Sequence, residues 1–427
     1  MFDDLSVYGD SVAIASQTNT TSYVALEALV RAKAKFVDKG KLVVIGNPGQ
    51  QKLVEHVSAY LTCVRKCACA MMFPDTKPSQ AIIESFQPDT IVLGNKWETT
   101  EKEFVPCICE LLITTSGSTG TKKFVKLTKQ NLEANARAIL RNLPIVKADV
   151  ACLLLTPTYS YGLSIVNTHV LVGATLYVAS ASFGSRLFWK EISGAGVTSI
   201  GLVPSHLEII EQQRFEDFLP RTLRYVTVSG GRSTPANLRV MERLRAAGIK
   251  VFAMYGQTET TTRTTILQDG DFPTHKGSVG RKIDGELFVV EGTGEIAYRG
   301  PNVFVGYAEN RSDLGHVEKI ETLHTGDVGR IEDGYLWLTG RIKRIAKINS
   351  VRVSLDELED QLEVLSHTPV KCVSDEKYVY AFSIAPIVTE GLPLRSRIRS
   401  LIVDSIPCLQ NGKTDYNLLE TKIDEFS

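Results

Sequence analysis

Residues 112–125 read LITTSGSTGTKKFV, an apolar run that stops abruptly in small hydroxylated residues and two glycines and then turns basic. The apolar part predicts a strand ending at Ile113. Beyond it Thr114, Thr115, Ser116, Gly117, Ser118, Thr119, Gly120 and Thr121 offer backbone N–H groups and hydroxyls, with no bulky side chain to hold an anion away from the main chain. That is the composition of a phosphate cradle, and Lys123 follows as a point charge able to reach the same phosphates. Two common phosphate loops are excluded by spacing. A G-x-x-x-x-G-K-[ST] loop counted from Gly117 puts Lys122 where the second glycine belongs, and G-x-G-x-x-G is absent. A plain Ser/Thr/Gly surface loop between two strands stays open at this point.

At 427 residues the chain is too long for one ordinary core, so two or three domains are expected. Its 48 basic and 48 acidic residues cancel, which leaves no electrostatic case for nucleic acid or an anionic membrane surface. No apolar run reaches the roughly 18 residues that span a bilayer. The first residues, MFDDLSVYGDS, lack a charged-then-apolar signal pattern, so no membrane insertion and a cytoplasmic location are expected. Cys63, Cys67 and Cys69 form one patch and Cys107 with Cys109 another. Neither has C-x-x-C spacing or a nearby His pair, so reduced core thiols are expected rather than zinc.

Up to residue 110, short apolar strands alternate with helices. Ser11–Ser16, Lys41–Gly46 and Thr90–Leu93 read as strands, Tyr23–Phe36 and Gln51–Val64 as helices. This alternation predicts a parallel sheet covered on both faces. Thr128 opens a helix to Leu140. Val150–Thr156 reads as a buried strand, after which Tyr159, Ser160, Tyr161 and Gly162 begin an apolar helix. Strands are also expected at 200–204 and 223–231, the second ending in Gly230 and Gly231 before Arg232. Val251–Met254 is another, followed at its end by Tyr255-Gly256-Gln257-Thr258-Glu259. From Gly277 to Gly340 short strands recur with glycine turns (GSVG, GELFVV, GEIAYRG, GYLWLTG), the texture of a small antiparallel sheet or barrel, with His324-Thr325-Gly326-Asp327 inside it. Residues 341–360 run from the basic RIKR into an acidic helix and read as a domain junction. Near the end, Asn411-Gly412-Lys413 lies on a turn.

Taken in order, the TSGSTG loop, Tyr-Gly-x-Thr-Glu, Thr-Gly-Asp, Gly-Arg at Arg341 and Asn-Gly-Lys resemble the motif set of the adenylate-forming superfamily, which includes acyl- and aryl-CoA synthetases, amino-acid adenylation domains and luciferase. Lys122 stands where that family usually has Pro, and Phe124 where it often has Gly. The resemblance implies an α/β fold: a large N-terminal domain of parallel α/β layers with a small antiparallel sheet or barrel, residues 1–341, followed by a small α+β lid, residues 342–427. It implies that Thr115, Ser116, Gly117, Ser118, Thr119, Gly120 and Lys123 hold phosphates and that Gly230, Gly231 and Arg232 lie beside adenine. Tyr255 and Gly256 pack on the same base, Thr258 bonds the phosphate region, and Glu259 holds Mg²⁺. Asp327 and Arg341 take the ribose, Lys343 is the hinge, and Lys413 is the mobile catalytic lysine.

The acid pocket would open at Tyr159, Ser160, Tyr161 and Gly162. Tyr159 or Ser160 stands where the family often has His, and Gly162 where amino-acid-activating members place an Asp, which argues against an α-amino acid. Arg232 is a candidate partner for a second carboxylate. The reaction so implied is ATP-dependent formation of an acyl-adenylate, then transfer to coenzyme A or a phosphopantetheine arm, with an acyl-carrier protein as an acceptor. Ser350, where the family usually has Gly, is expected to leave that arm room to pass. Alternatives are an amine or hydroxyl acceptor, or an ATP-binding regulatory homologue without turnover.

Overall fold

The computed structural model describes residues 2–47, 49, 52–100, 105–114, 123–213, 218–348, 351–375, 377–392, 394–409 and 414–423. Two large sheets dominate. The first has nine strands in the order Arg281–Lys282, Thr265–Leu267, Lys250–Tyr255, Tyr225–Val228, Ser199–Leu202, Val150–Cys152, Thr175–Val178, Val12–Ser16, Thr20–Ser22. The six strands from Lys250–Tyr255 to Val12–Ser16 are parallel, and the outer pairs are antiparallel. The second sheet has seven strands, with Leu111–Thr114, Cys69–Phe73, Leu42–Gly46 and Thr90–Leu93 parallel at its centre.

Parallel strands must be covered on both faces, because each crossover lays a helix on the sheet. The core follows that rule. Helices Tyr23–Lys33, Leu53–Lys66, Lys129–Asn142 and Ser160–Val172 fill the space between the sheets, where Tyr23, Tyr60, Ile139 and Val166 join strand residues Ile14 and Ile45 in one buried cluster. A second cluster, with Phe188, Trp189, Leu207, Val240 and Met241, covers the other face of the nine-stranded sheet. Ile82 and Phe86 cover the far face of the seven-stranded one. The helix after Thr128 starts where the sequence places it, since Thr128 caps the Asn131 N–H while the Asn131 side chain accepts from the Thr128 N–H.

The glycine-punctuated segment forms a four-stranded antiparallel sheet from Glu286–Val289, Glu295–Arg299, Leu323–Glu332 and Tyr335–Arg341. Its GSVG stretch is a connection rather than a strand. After it a hairpin (Ile345–Ile348 with Val351–Ser354), the helix Leu355–Ser366 and a three-stranded sheet pack around Ile348, Leu358, Leu362, Val370 and Ala381, all beyond residue 345.

Several elements depart from the sequence expectations. The strand expected over Val150–Thr156 ends at Cys152, and the carbonyls of Leu155 and Thr156 beyond it are turned against Gly162 instead of a neighbouring strand. Strands Thr20–Ser22, Cys69–Phe73 and Lys96–Thr99 were not anticipated. Cys69 begins a wholly buried strand and lies 3.6 Å from the sulfur of Cys109 as a free thiol. No described helix is long and apolar enough to cross a membrane.

Candidate active site

Ligands of parallel α/β sheets gather at the carboxyl ends of the strands, and among the described motif residues Tyr255, Asp327 and Arg341 meet at one such end. The strand Lys250–Tyr255 delivers Tyr255 with its ring buried and its hydroxyl donating to Asp327 Oδ2 at 2.7 Å. Asp327 lies on the Leu323–Glu332 strand of the small sheet, directly opposite Arg341 in register, and Arg341 Nε meets its Oδ1 at 2.9 Å. Gln257 Nε2 adds a bond to Asp327 Oδ2 at 2.8 Å. Burial, reinforced by the Asp327 charge, pushes the Tyr255 phenol well above its ordinary pKa, and Asp327 holds Arg341 more firmly protonated. The carboxylate that the sequence singles out is therefore already oriented by three donors and is 5% exposed. The turn carrying it is held by Glu295, which accepts from Gly326 N–H at 2.9 Å and lies 2.9 Å from His324 Nδ1.

Gly256 can only be glycine here: a Cβ would stand 1.9 Å from the Thr262 carbonyl oxygen. Thr258, in the short 3-10 turn Thr258–Thr260, has its hydroxyl 3.3 Å from that of Ser160, and the Thr262 hydroxyl donates to the Ser160 carbonyl. The aromatic-lined turn and the Tyr-Gly-x-Thr-Glu segment are thus neighbours, as the sequence reading requires. Gly162 excludes any side chain, since its Cβ would lie 2.3 Å from the Thr156 carbonyl oxygen. No carboxylate could be accommodated at that position. Tyr161 points inward and its hydroxyl bonds both the carbonyl and the hydroxyl of Thr227 at 2.9 Å, whereas Tyr159 precedes the helix as its half-buried N-cap residue.

Glu259 accepts one hydrogen bond from the Tyr307 hydroxyl, to Oε1 at 2.9 Å, and is partly exposed. An oxygen donor of this kind fits a hard divalent cation. Lys123 precedes the return strand Phe124–Leu127 and pairs with Glu309 at 2.9 Å. Thr115, Ser116, Gly117, Ser118, Thr119, Gly120, Lys413 and Ser350 lie outside the described residues. Gly230 and Gly231 follow the end of Tyr225–Val228. Lys343 is exposed in the turn Ile342–Arg344.

The guanidinium of Arg232, expected beside adenine or against a second carboxylate, ion-pairs with Asp360 of the helix Leu355–Ser366 at 2.5 Å and donates to the Thr339 carbonyl. A flexible side chain a third exposed at a strand end reaches the nearest carboxylate instead of the interior. The residues that sequence reasoning passed over include Gln257, Glu295 and Arg263. The only signal for Arg263 is that it carries the single charge between Thr260 and Gln268.

Residues 7–308 match the family model described as AMP-binding enzyme. The chain belongs to the AMP-binding enzyme family. It is accordingly a member of the adenylate-forming superfamily that its motifs resemble, and the matched span holds the loop at 115–123 and Tyr255–Glu259, while Asp327, Arg341, Lys343 and Lys413 lie beyond it. Relatives include a 2-succinylbenzoate–CoA ligase of Bacillus mycoides, 30% identical over 61% of this chain and 55% of its own length. An oxalate–CoA ligase of Arabidopsis thaliana is 28% identical over 66% and 58%. The chain thus spans little more than half the length of these relatives. Among solved structures, o-succinylbenzoate CoA synthetase of Bacillus subtilis in complex with its acyl-adenylate intermediate superposes with a TM-score of 0.77 at 21% identity, covering 98% of both chains. The AMP-binding enzyme fold, an α/β assembly with a large N-terminal part and sheets arranged as above, is therefore that of this chain.

Proposed function

We propose that this chain uses ATP to activate a carboxylic acid as its acyl-adenylate, releasing pyrophosphate, and then passes the acyl group to the thiol of coenzyme A. The observation that carries the reading is the cluster around Asp327: a buried carboxylate at the carboxyl ends of the parallel strands, prearranged by Tyr255, Gln257 and Arg341. Such a carboxylate accepts vicinal hydroxyls side by side, as a ribose presents them. The relatives named for CoA ligation support the acceptor. A cytoplasmic location is proposed with it.

The chemistry follows from charge. An acid carboxylate must attack the α-phosphorus of ATP, so both reactants are anions and catalysis is chiefly positioning and neutralisation. No general base is needed, because the nucleophile is already ionised. Thr258, held against Ser160, would place a hydroxyl between the acid and the phosphates. Glu259 would hold Mg²⁺, which supplies neutralisation of phosphate charge when bound. The 115–123 segment would hold the departing pyrophosphate, Lys413 would bridge carboxylate and α-phosphate, and residues 342–427 would act as a lid turning about Lys343. ATP–pyrophosphate exchange across a panel of acids tests the reading. Lys413→Ala is expected to remove exchange while leaving ATP affinity within a few-fold, since a residue acting on the transition state changes turnover rather than ground-state binding. Parallel loss of ATP binding, or wild-type protein inert with every acid, would contradict it.

A further inference from the structure

Arg263 is 3% exposed, yet among the described residues no carboxylate pairs with it. Its Nε reaches the sulfur of Met254 at 3.2 Å, and its guanidinium lies 4.0 Å from the centre of the Tyr161 ring. A sulfur and a ring face are weak compensation for a desolvated cation. Burial accordingly lowers its pKa from 12.5 to about 10, which still leaves it charged near neutrality. The backbone that aims it inward is strained, with positive φ at two successive non-glycine residues, Thr261 (59°) and Thr262 (143°). Unusual conformations of this kind persist where the surroundings enforce them, often at binding sites.

The guanidinium lines a cavity of about 30 Å³ between the helices Lys129–Asn142 and Ser160–Val172 and the nine-stranded sheet. By the usual measure of roughly 10–15 Å³ per water, that space takes about two oxygen-sized groups. Its walls include Ile139, Leu143 and Ile165, and the polar atoms stranded there include His169 Nε2, buried with no hydrogen-bond partner, while Nδ1 bonds the Ile165 carbonyl at 2.8 Å. Ser164 and Thr168 of the same wall stand one and two turns along the helix from Ser160, which touches Thr258. A small chamber with an uncompensated cation therefore lies along the helix that begins at Ser160, where the reacting carboxylate is proposed.

We infer that Arg263 is the specificity-determining residue for an acid with a second carboxylate, its far end seated in this chamber on the guanidinium and its near end at Ser160 and Thr258. This rests on the adenylation reading above. The span from Ser160 to Ser164, one helical turn of about 5.4 Å, limits the substrate to a short diacid. Fork-to-carboxylate pairing supplies both charge compensation and direction, and Tyr161 beneath the guanidinium, fixed to Thr227, keeps the fork from turning away.

The test compares malonate, succinate and glutarate with monocarboxylates of equal length in ATP–pyrophosphate exchange, using wild type, Arg263→Met and Arg263→Lys. It is paired with the thermal shift that each acid produces. Wild type is expected to prefer a diacid. Arg263→Met should raise KM for that diacid about 10- to 100-fold, leave monoacids unchanged or improved, and melt no lower than wild type, because removing an unpaired buried charge does not destabilise a core. Arg263→Lys should restore part of the preference. Equal effects on mono- and diacids, or a lower melting temperature in Arg263→Met with uniform loss, would make Arg263 structural and overturn the proposal. If no acid supports exchange, the adenylation reading fails by itself. A diacid-induced thermal shift in wild type that vanishes in Arg263→Met would still uphold the site, and no shift in either protein would sink it.

Discussion

His56 is 3% exposed within the helix Leu53–Lys66, and burial pushes its pKa from 6.5 down to about 4. The fold therefore binds the neutral ring, and the unfolded chain takes up the proton first as pH falls. Stability from this group is complete above pH 6.5 and is lost progressively down to pH 4. From pH 6.5 to 5 the loss is roughly 2 kcal/mol, and His206, lowered to about 4 as well, acts in the same direction. Urea unfolding of His56→Leu at pH 7.5 and 5 should show a pH dependence smaller by about that amount; an unchanged dependence would mean that the ring is hydrated. Residues of this kind were not legible in the sequence. Asp327, Tyr255 and Thr258 could be singled out there, because a motif names them, and the structure brings Tyr255 and Asp327 into contact. Arg263 and His169 acquire meaning only when separate elements close one chamber around them.

Elements were legible where local chemistry alone defines them. The Thr128 cap, the strand before Tyr255 and the strands within GELFVV, GEIAYRG and GYLWLTG stand where the sequence puts them. The excess length given to Val150–Thr156 and the missed strand Cys69–Phe73 share a cause: an apolar run signals burial, and only its neighbours decide whether it pairs. Arg232 illustrates the same limit, since Asp360, 128 positions later, sets where its guanidinium goes. Being partly exposed, that pair is worth about 0–1 kcal/mol. Arg232→Ala should leave KM for any acid within about twofold while raising amide exchange along Leu355–Ser366. A large change in acid selectivity would return Arg232 to the pocket.

At the scale of the molecule, every described core residue of the segment after 345 packs within that segment's own clusters, and polar ties lead back to the preceding part of the chain: Arg232 to Asp360, the Arg341 N–H to Asp356, and Ser354 to the Thr339 carbonyl. A chain of residues 1–341 is expected to fold, to bind ATP within about tenfold of the full chain, and to lose pyrophosphate exchange altogether, checked by calorimetry and radiolabel exchange. The nine-stranded sheet imposes a different constraint. Ile14 pairs with Leu176, a separation of 162 positions, and among the described residues the strand Thr20–Ser22 pairs with Val12–Ser16 alone. On a ribosome adding about 5–20 residues per second, the first strand emerges roughly ten to thirty seconds before the one it must lie against. During that interval its backbone donors and acceptors face solvent or a chaperone, so this strand waits longest in its sheet for a parallel neighbour and its fate depends most on the tempo of translation.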